Sequence, residues 1–397
     1  MPELDRRRFL RLTGAAAATG VLASACSGSS LGDQGGDDGG PVKIGLLLPE
    51  AGVYKALGDD QRAGWNLYLE QNGGKLGGRK VEVVTADEGE EPDTAKASAE
   101  KLLKQEQVQV VVGVISSASL AAIQQMFTEA KVPLISTNAS PAQVQGMEYG
   151  WRTSYVNQHP TVAVSEYLAK QAGGPVVVIV PDYAAGHDHV NALKEHFPKA
   201  GGKLAGDPIL TPFPIGGNSF QPYLQQIQKR NPKAVYTFYA GGDAVKFVKE
   251  YRQFGLADKY PLYAPGWLVE GGVLAAQGES AVGILNTNNY STDLDNELNR
   301  KFVSEYTKAV GSEPTSFSVQ AYDAAAVLDK AIKAAGDNVT SEALEKAITD
   351  LGEIESPRGT WRFGENRSPV QTWYLRKVEK DGDTVRNVVV EELGVVE

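Results

Sequence analysis

Apolar and polar positions change rhythm repeatedly from Pro41 onward. Val42 to Leu48 is an almost continuous apolar run, the pattern of a strand buried on both faces of a parallel sheet. Gly58 to Gln71 follows with helical spacing and is stopped by Asn72-Gly73-Gly74. Lys80 to Ala86 is rich in β-formers. Asp93 can cap a helix in which Ala95, Ala99, Leu102 and Leu103 share one face. Val108 to Ile115 is strand-like, Leu120 to Ala130 helical, and Val132 to Ser136 strand-like again.

The alternation resumes after Trp151. Thr161 to Ala172 reads as a helix and Pro175 to Val180 as a buried strand. Asp188 to Ala200 carries Val190, Leu193 and Phe197 on one helical face. Ala234 to Tyr239 and Leu262 to Ala264 are strands around a helix from Asp243 to Phe254. Helices are expected at Asp295–Val310, Phe317–Ala335 and Ser341–Leu351, and strands at Trp361–Phe363, Thr372–Val378 and Val385–Glu392. Two successive βαβα series predict an α/β protein with two doubly wound parallel sheets. Such sheets bind ligands at the carboxyl ends of their strands, so the loops after the strands are where a site is expected.

The 397 residues suit about two domains. A net charge of −10 argues against nucleic-acid binding, which calls for a basic face. The N-terminus differs in kind from the rest. Arg6-Arg7-Arg8-Phe9-Leu10 precedes a modestly apolar run from Leu12 to Ala23, then Ala23-Ser24-Ala25-Cys26. A basic start, an apolar stretch and small residues before a cut are the signature of an export signal. The arginine pair resembles a twin-arginine signal, and the residues ahead of Cys26 resemble a lipobox. Residues 1–25 are therefore expected to be a lipoprotein signal, with Cys26 lipidated. Cys26 is the sole cysteine, so it has no internal disulfide partner. Two acyl chains on it would hold the protein stably at the outer face of the cytoplasmic membrane. Residues 26–41, mostly Gly, Ser and Asp, read as a flexible tether.

Motifs occur in a recognisable order: Val42-Lys43-Ile44-Gly45-Leu46-Leu47-Leu48-Pro49, Gly77-Gly78-Arg79-Lys80-Val81, Val111-Val112-Gly113-Val114-Ile115-Ser116-Ser117 and Val132-Pro133-Leu134-Ile135-Ser136. Trp151-Arg152-Thr153, Asn218-Ser219-Phe220, Phe254-Gly255-Leu256, Ala321-Tyr322-Asp323-Ala324 and Pro357-Arg358-Gly359 complete the series. Over residues 42–380 this resembles the type I periplasmic binding proteins, the branched-chain amino acid binding family of ABC importers. The resemblance implies two lobes joined by a three-strand hinge with crossings near residues 155, 288 and 357. Lobe one would be 42–155 and 288–357, and lobe two 156–287 and 358–397. It also implies a non-enzymatic monomer that binds a small solute, needs no cofactor, and docks on permease and ATPase subunits.

Candidate ligand-binding residues follow. Ser116, Ser117 and Ser119 lie at a strand end and helix start, where hydroxyls and free N–H groups suit a carboxylate; plain helix capping is the alternative. The resemblance makes this the first binding loop, and makes Asn138, Ala139 and Ser140 the second. Tyr183, Tyr239 and Trp267 follow strands of the second lobe and could wall a ligand, and Tyr54 sits in the first loop. The family's acid for a ligand amine is absent, because Gly266 stands at its position. Asp182, Asp243 or Glu270 could substitute; otherwise an aromatic, amide-bearing or modified small acid is expected rather than leucine, isoleucine or valine. His187 and His189 at i and i+2 face apart, so no metal site is expected there. A ligand-sensing regulator on the same fold is the rival reading. A hydrolase would need a nucleophile and base, and no such motif occurs.

Overall fold

The computed structural model describes residues 40–397; the signal, Cys26 and nearly all of the tether lie outside the described residues. Among the described residues no helix is long and apolar enough to cross a membrane.

The first sheet contains β1 (Val42–Leu48), β2 (Lys75–Leu76), β3 (Arg79–Asp87), β4 (Val110–Gly113), β5 (Leu134–Ser136) and β6 (Gly150–Arg152), in the order β2-β3-β1-β4-β5-β6. All its pairings except β2 with β3 are parallel. Its apolar runs are buried on both faces, as their composition demands. Ile44, Leu46, Val110 and Val112 enter one core, whereas Leu47 and Val111 enter the core on the opposite face. The first core is closed by α1 (Lys55–Gln71), α10 (Ser316–Ala335) and α11 (Ser341–Thr349), the second by α2 (Pro92–Glu100) and α3 (Ser117–Ala130). α10 starts with Thr315 and Ser318 in a reciprocal cap.

The second sheet holds β7 (Pro175–Pro181), β8 (Lys203–Leu204), β9 (Ile209–Thr211), β10 (Ala234–Thr237), β11 (Leu262–Pro265), β12 (Leu285–Asn288), β13 (Arg362–Phe363), β14 (Pro369–Asp381) and β15 (Thr384–Val396). Val177 and Ile179 of β7 face one core while Val176, Val178 and Val180 face the other. The helices α4 (His159–Ala172), α5 (Ala184–Lys199), α6 (Gln221–Arg230), α7 (Gly241–Gln253) and α8 (Gly271–Gln277) cover its faces, and α9 (Glu297–Val310) joins the first lobe. The β14–β15 hairpin is longer than its apolar pattern predicted, because the turn at Gly382-Asp383 lets both strands pair from Asp381 and Thr384 outward.

The chain passes between the sheets after β6, after β12 and ahead of β14. Ile354 and Trp361 still belong to the first core, and the third passage reaches the second sheet at Arg362–Phe363, which pairs with the start of β14. The passages are tied together at Ser154. Its carbonyl accepts from the Asn289 amide at 3.1 Å, Arg358 at 3.3 Å and the Gln371 amide at 2.8 Å. Arg358 also pairs with Asp323 of α10 at 2.8 Å, and both side chains are 1% exposed.

Candidate functional site

In each sheet the strand order reverses at one point, β1 beside β4 and β7 beside β10. The loops leaving these strands converge on a narrow space between the lobes, of only about 10 Å³ in this closed arrangement. Tyr54, Ile115, Ser117 and Asn138 come from the first lobe, and Tyr155 and Asn157 from the first passage. Tyr183, Ala185, His189, Phe238, Ala240 and Trp267 come from the second lobe.

The aromatic wall is held by mutual packing. Tyr155 and Trp267 meet edge to face with centroids 4.1 Å apart, and the Trp267 indole N–H donates to the Tyr155 hydroxyl. That hydroxyl donates to Asn138 Oδ1 at 2.8 Å, and the Asn138 amide donates to the Ile115 carbonyl at 2.8 Å. Tyr183 stacks on Phe213 with centroids 4.2 Å apart. His189 packs on Phe238 at 4.4 Å and shares a hydrogen bond with the Thr161 hydroxyl at 2.8 Å. Burial pushes the His189 imidazole down to about 3, so it is neutral at physiological pH. Burial also holds the Tyr54 phenol well above its usual range, and it stays protonated.

The lobes close directly on one another. The Tyr54 and Tyr183 hydroxyls are 3.2 Å apart, and the Gly242 N–H donates to the Val53 carbonyl at 3.1 Å. The Asn157 amide donates to the Ser117 hydroxyl at 3.1 Å and to Asp188 at 2.9 Å; Asp188 also accepts from the Ala142 N–H at 3.0 Å.

Of the candidates drawn from the sequence, Tyr54, Ser117, Asn138, Tyr183 and Trp267 line the cavity. The others sit beside it. Ser116 caps α3, its hydroxyl accepting from the Ser119 N–H, and Ser119 lies buried in the first turn. Ala139 is in the core, and the Ser140 hydroxyl bonds that of Ser154 at 2.9 Å. The Tyr239 ring is packed between Phe220 and Phe247, with its hydroxyl on Thr211 at 3.0 Å. Asp243 accepts from the Ile215 N–H at 2.9 Å.

The other two acids considered for an amine are also engaged: Asp182 with His187 at the surface, and Glu270 with Arg376 at 2.6 Å and the Ser316 N–H at 2.8 Å. A Cβ on Gly266 would come 2.3 Å from the Asn288 amide and 2.8 Å from the Arg376 guanidinium, so that position is already filled. Among the described residues, those lining the cavity include neither a carboxylate nor a cation.

Composition and spacing do not single out Glu88, which is fully buried, with its two oxygens accepting from the Ile115 and Ser116 N–H groups at 2.7 Å each. Glu88 thus takes the N–H groups just ahead of α3, and leaves those of the helix's first turn, Ser117 and Ala118, to other acceptors. Desolvation raises Glu88 to about 8 against those two hydrogen bonds. Ile115, Tyr155, Asn157, Ala185, His189, Phe238 and Ala240 were likewise not foreseen. For Phe238 the only available signal was its position at the end of β10 beside Tyr239.

The profile described as periplasmic binding protein matches residues 41–383. A Leu/Ile/Val-binding protein homolog 6 from Brucella melitensis biotype 1 is 32% identical over 349 residues, covering 86% of this chain and 88% of its own. A solute-binding protein of an ABC transporter from R. palustris, solved with benzoate, is 34% identical with a TM-score of 0.83, covering 90% of this chain and 98% of that one. Another, from Rhodopseudomonas palustris BisB5 in complex with 3,4-dihydroxybenzoic acid, is 28% identical with a TM-score of 0.84, again covering 90% of this chain and 98% of that one.

Proposed function

The chain belongs to the periplasmic binding protein family, and from that premise we propose that it captures a small aromatic carboxylate between its lobes and delivers it to an ABC importer. The observation that carries this reading is the character of the cavity wall: aromatic faces with neutral polar groups and no carboxylate. The ammonium of an α-amino acid would be desolvated there without a counter-charge, which is costly. A benzoate-like ring meets no such penalty. It buries apolar area against Tyr54, Tyr183, Phe238 and Trp267.

Its carboxylate needs donors. Glu88 and the Ser116 hydroxyl already take the Ile115, Ser116 and Ser119 N–H groups. The first-turn N–H groups of Ser117 and Ala118 have no acceptor within α3, and the Ser117 hydroxyl, which accepts from the Asn157 amide, has its own proton to donate beside them. The aromatic acids bound by the R. palustris relatives support this class of ligand. The protein is further proposed to be exported and held at the membrane by diacylated Cys26, on the sequence features ahead of that residue.

Calorimetry tests the ligand class. Benzoate and 4-hydroxybenzoate should bind at micromolar or lower concentrations, and leucine, isoleucine and valine at least about a hundredfold more weakly, the equivalent of about 2.8 kcal/mol. Tight binding of any of the three amino acids would overturn the assignment.

A further inference from the structure

A chain of hydrogen bonds through α4, β10 and α5 fixes where the His189 imidazole carries its proton. The Thr161 hydroxyl lies 2.8 Å from His189 Nδ1 and 2.6 Å from the Tyr236 hydroxyl, and among the described residues these are its only partners. Tyr236 is fully buried, and Thr161 is the only described partner of its hydroxyl. The Tyr236 proton therefore goes to Thr161 Oγ1, because the reverse direction would leave a buried donor unpaired, which is costly. Thr161 has one proton of its own, and the acceptor left for it is His189 Nδ1. A ring nitrogen that accepts carries no proton, so the neutral imidazole carries its proton on Nε2.

Nε2 bonds no described residue. The ring is 1% exposed and lines the cavity, yet Nε2 is not among the fully enclosed polar atoms, so the little surface the ring keeps includes that atom. The neighbouring donors on this side are engaged: the Trp267 N–H with Tyr155, and the Tyr183 hydroxyl with Tyr54. The His189 Nε2–H is uncommitted. It also stands on α5 in the second lobe, whereas the N–H groups proposed for the ligand carboxylate, on Ser117 and Ala118, stand in the first. An acid that spans the cleft with its carboxylate on α3 turns its ring toward Tyr183, Phe238, Trp267 and His189.

We propose that His189 determines specificity among aromatic acids, its Nε2–H donating to an oxygen carried on the ligand's ring, with Thr161 as the positioning residue that fixes the tautomer. The inference rests on the aromatic-carboxylate reading above. Unsubstituted benzoate presents only ring hydrogens to this donor and leaves it desolvated and unpaired. A hydroxyl on the ring offers its oxygen as an acceptor. A site with a buried donor of this kind discriminates against the analogue that cannot pair with it.

The test is calorimetry of the purified protein with benzoate, 3-hydroxybenzoate and 4-hydroxybenzoate. In the wild type at least one hydroxybenzoate should bind about five- to tenfold more tightly than benzoate, the worth of one hydrogen bond. His189→Phe should erase that preference, Thr161→Val should reduce it, and Thr161→Ser, which keeps the hydroxyl, should restore it. Thermal melts confirm that each variant is folded. Nitrogen-15 NMR of the ligand-free wild type reads the tautomer without any variant: Nδ1 should be unprotonated and Nε2 protonated at neutral pH, and the reverse tautomer or an imidazolium would overturn the proposal. If benzoate binds but the wild type shows no preference, or His189→Phe keeps it, this inference fails and the ligand class stands. If none of the three acids binds, the ligand class itself fails and takes the inference with it.

Discussion

Gly241 is the point at which lobe closure can be tested by one methyl group. It opens α7 with φ +57°, and a Cβ there would lie 2.1 Å from the Val53 carbonyl oxygen across the cleft. An ordinary contact of that kind needs more than 3 Å, so Gly241→Ala forces the lobes about 1 Å apart at this edge. Two hydrogen bonds depend on that approach, Gly242 N–H to Val53 and the Tyr54–Tyr183 hydroxyl pair. At about 0.5–1.5 kcal/mol each, their loss weakens closure by about 1–3 kcal/mol. Affinity for an aromatic acid should fall roughly 5- to 150-fold. The positive φ adds about 1–2 kcal/mol of strain for alanine, but the strain is present in open and closed forms alike and appears as a lowered Tm instead. Gly242→Ala is the matched control, since a Cβ there meets nothing within 4 Å. Calorimetry gives the affinities, and small-angle scattering gives the contraction on adding ligand. If Gly241→Ala binds and contracts like Gly242→Ala, contact between the lobes at this edge plays no part in capture.

Ser117→Ala removes a hydroxyl from the cavity and should weaken binding of an aromatic acid about tenfold or more, whereas Ser116→Ala should cost about 1 kcal/mol of stability through the lost α3 cap and leave affinity nearly unchanged; titrations and thermal melts separate the two. Glu88 has its folded value raised to about 8 from 4.5, so its contribution is fully present below pH 4.5 and is lost as pH rises through 8. Stability should therefore fall across that window with a slope of up to about 1.4 kcal/mol per pH unit from this group, and Glu88→Gln should flatten it; identical slopes by thermal denaturation would refute the account. Arg358→Met strands the buried Asp323 carboxylate and should cost about 3–5 kcal/mol in denaturant melts. Cys26→Ala should release the protein from membranes or leave the precursor uncut, as read by fractionation and by mass.

The sequence by itself determined the layered α/β architecture, because strands buried on both faces must be apolar throughout and their helices must carry one apolar stripe. Val42–Leu48, Val110–Gly113 and Pro175–Pro181 could be read directly for that reason. The same logic pointed to the loops after them, where Tyr54, Ser117, Asn138, Tyr183 and Trp267 were found facing one cavity. Only the tertiary structure decided which neighbouring side chain in each loop faces inward. The swap of Tyr239 for Phe238 depends on a core formed by Phe220, Phe247 and Thr211, residues brought together from three separate segments. The engagement of Asp243 by Ile215, of Glu270 by Arg376, and of the Ile115 and Ser116 N–H groups by Glu88 could not be read for the same reason. Local pattern specifies elements because each is satisfied along its own length. The charge balance of a cleft is set by partners 27 to 106 residues apart in the chain, and only the fold brings them into contact.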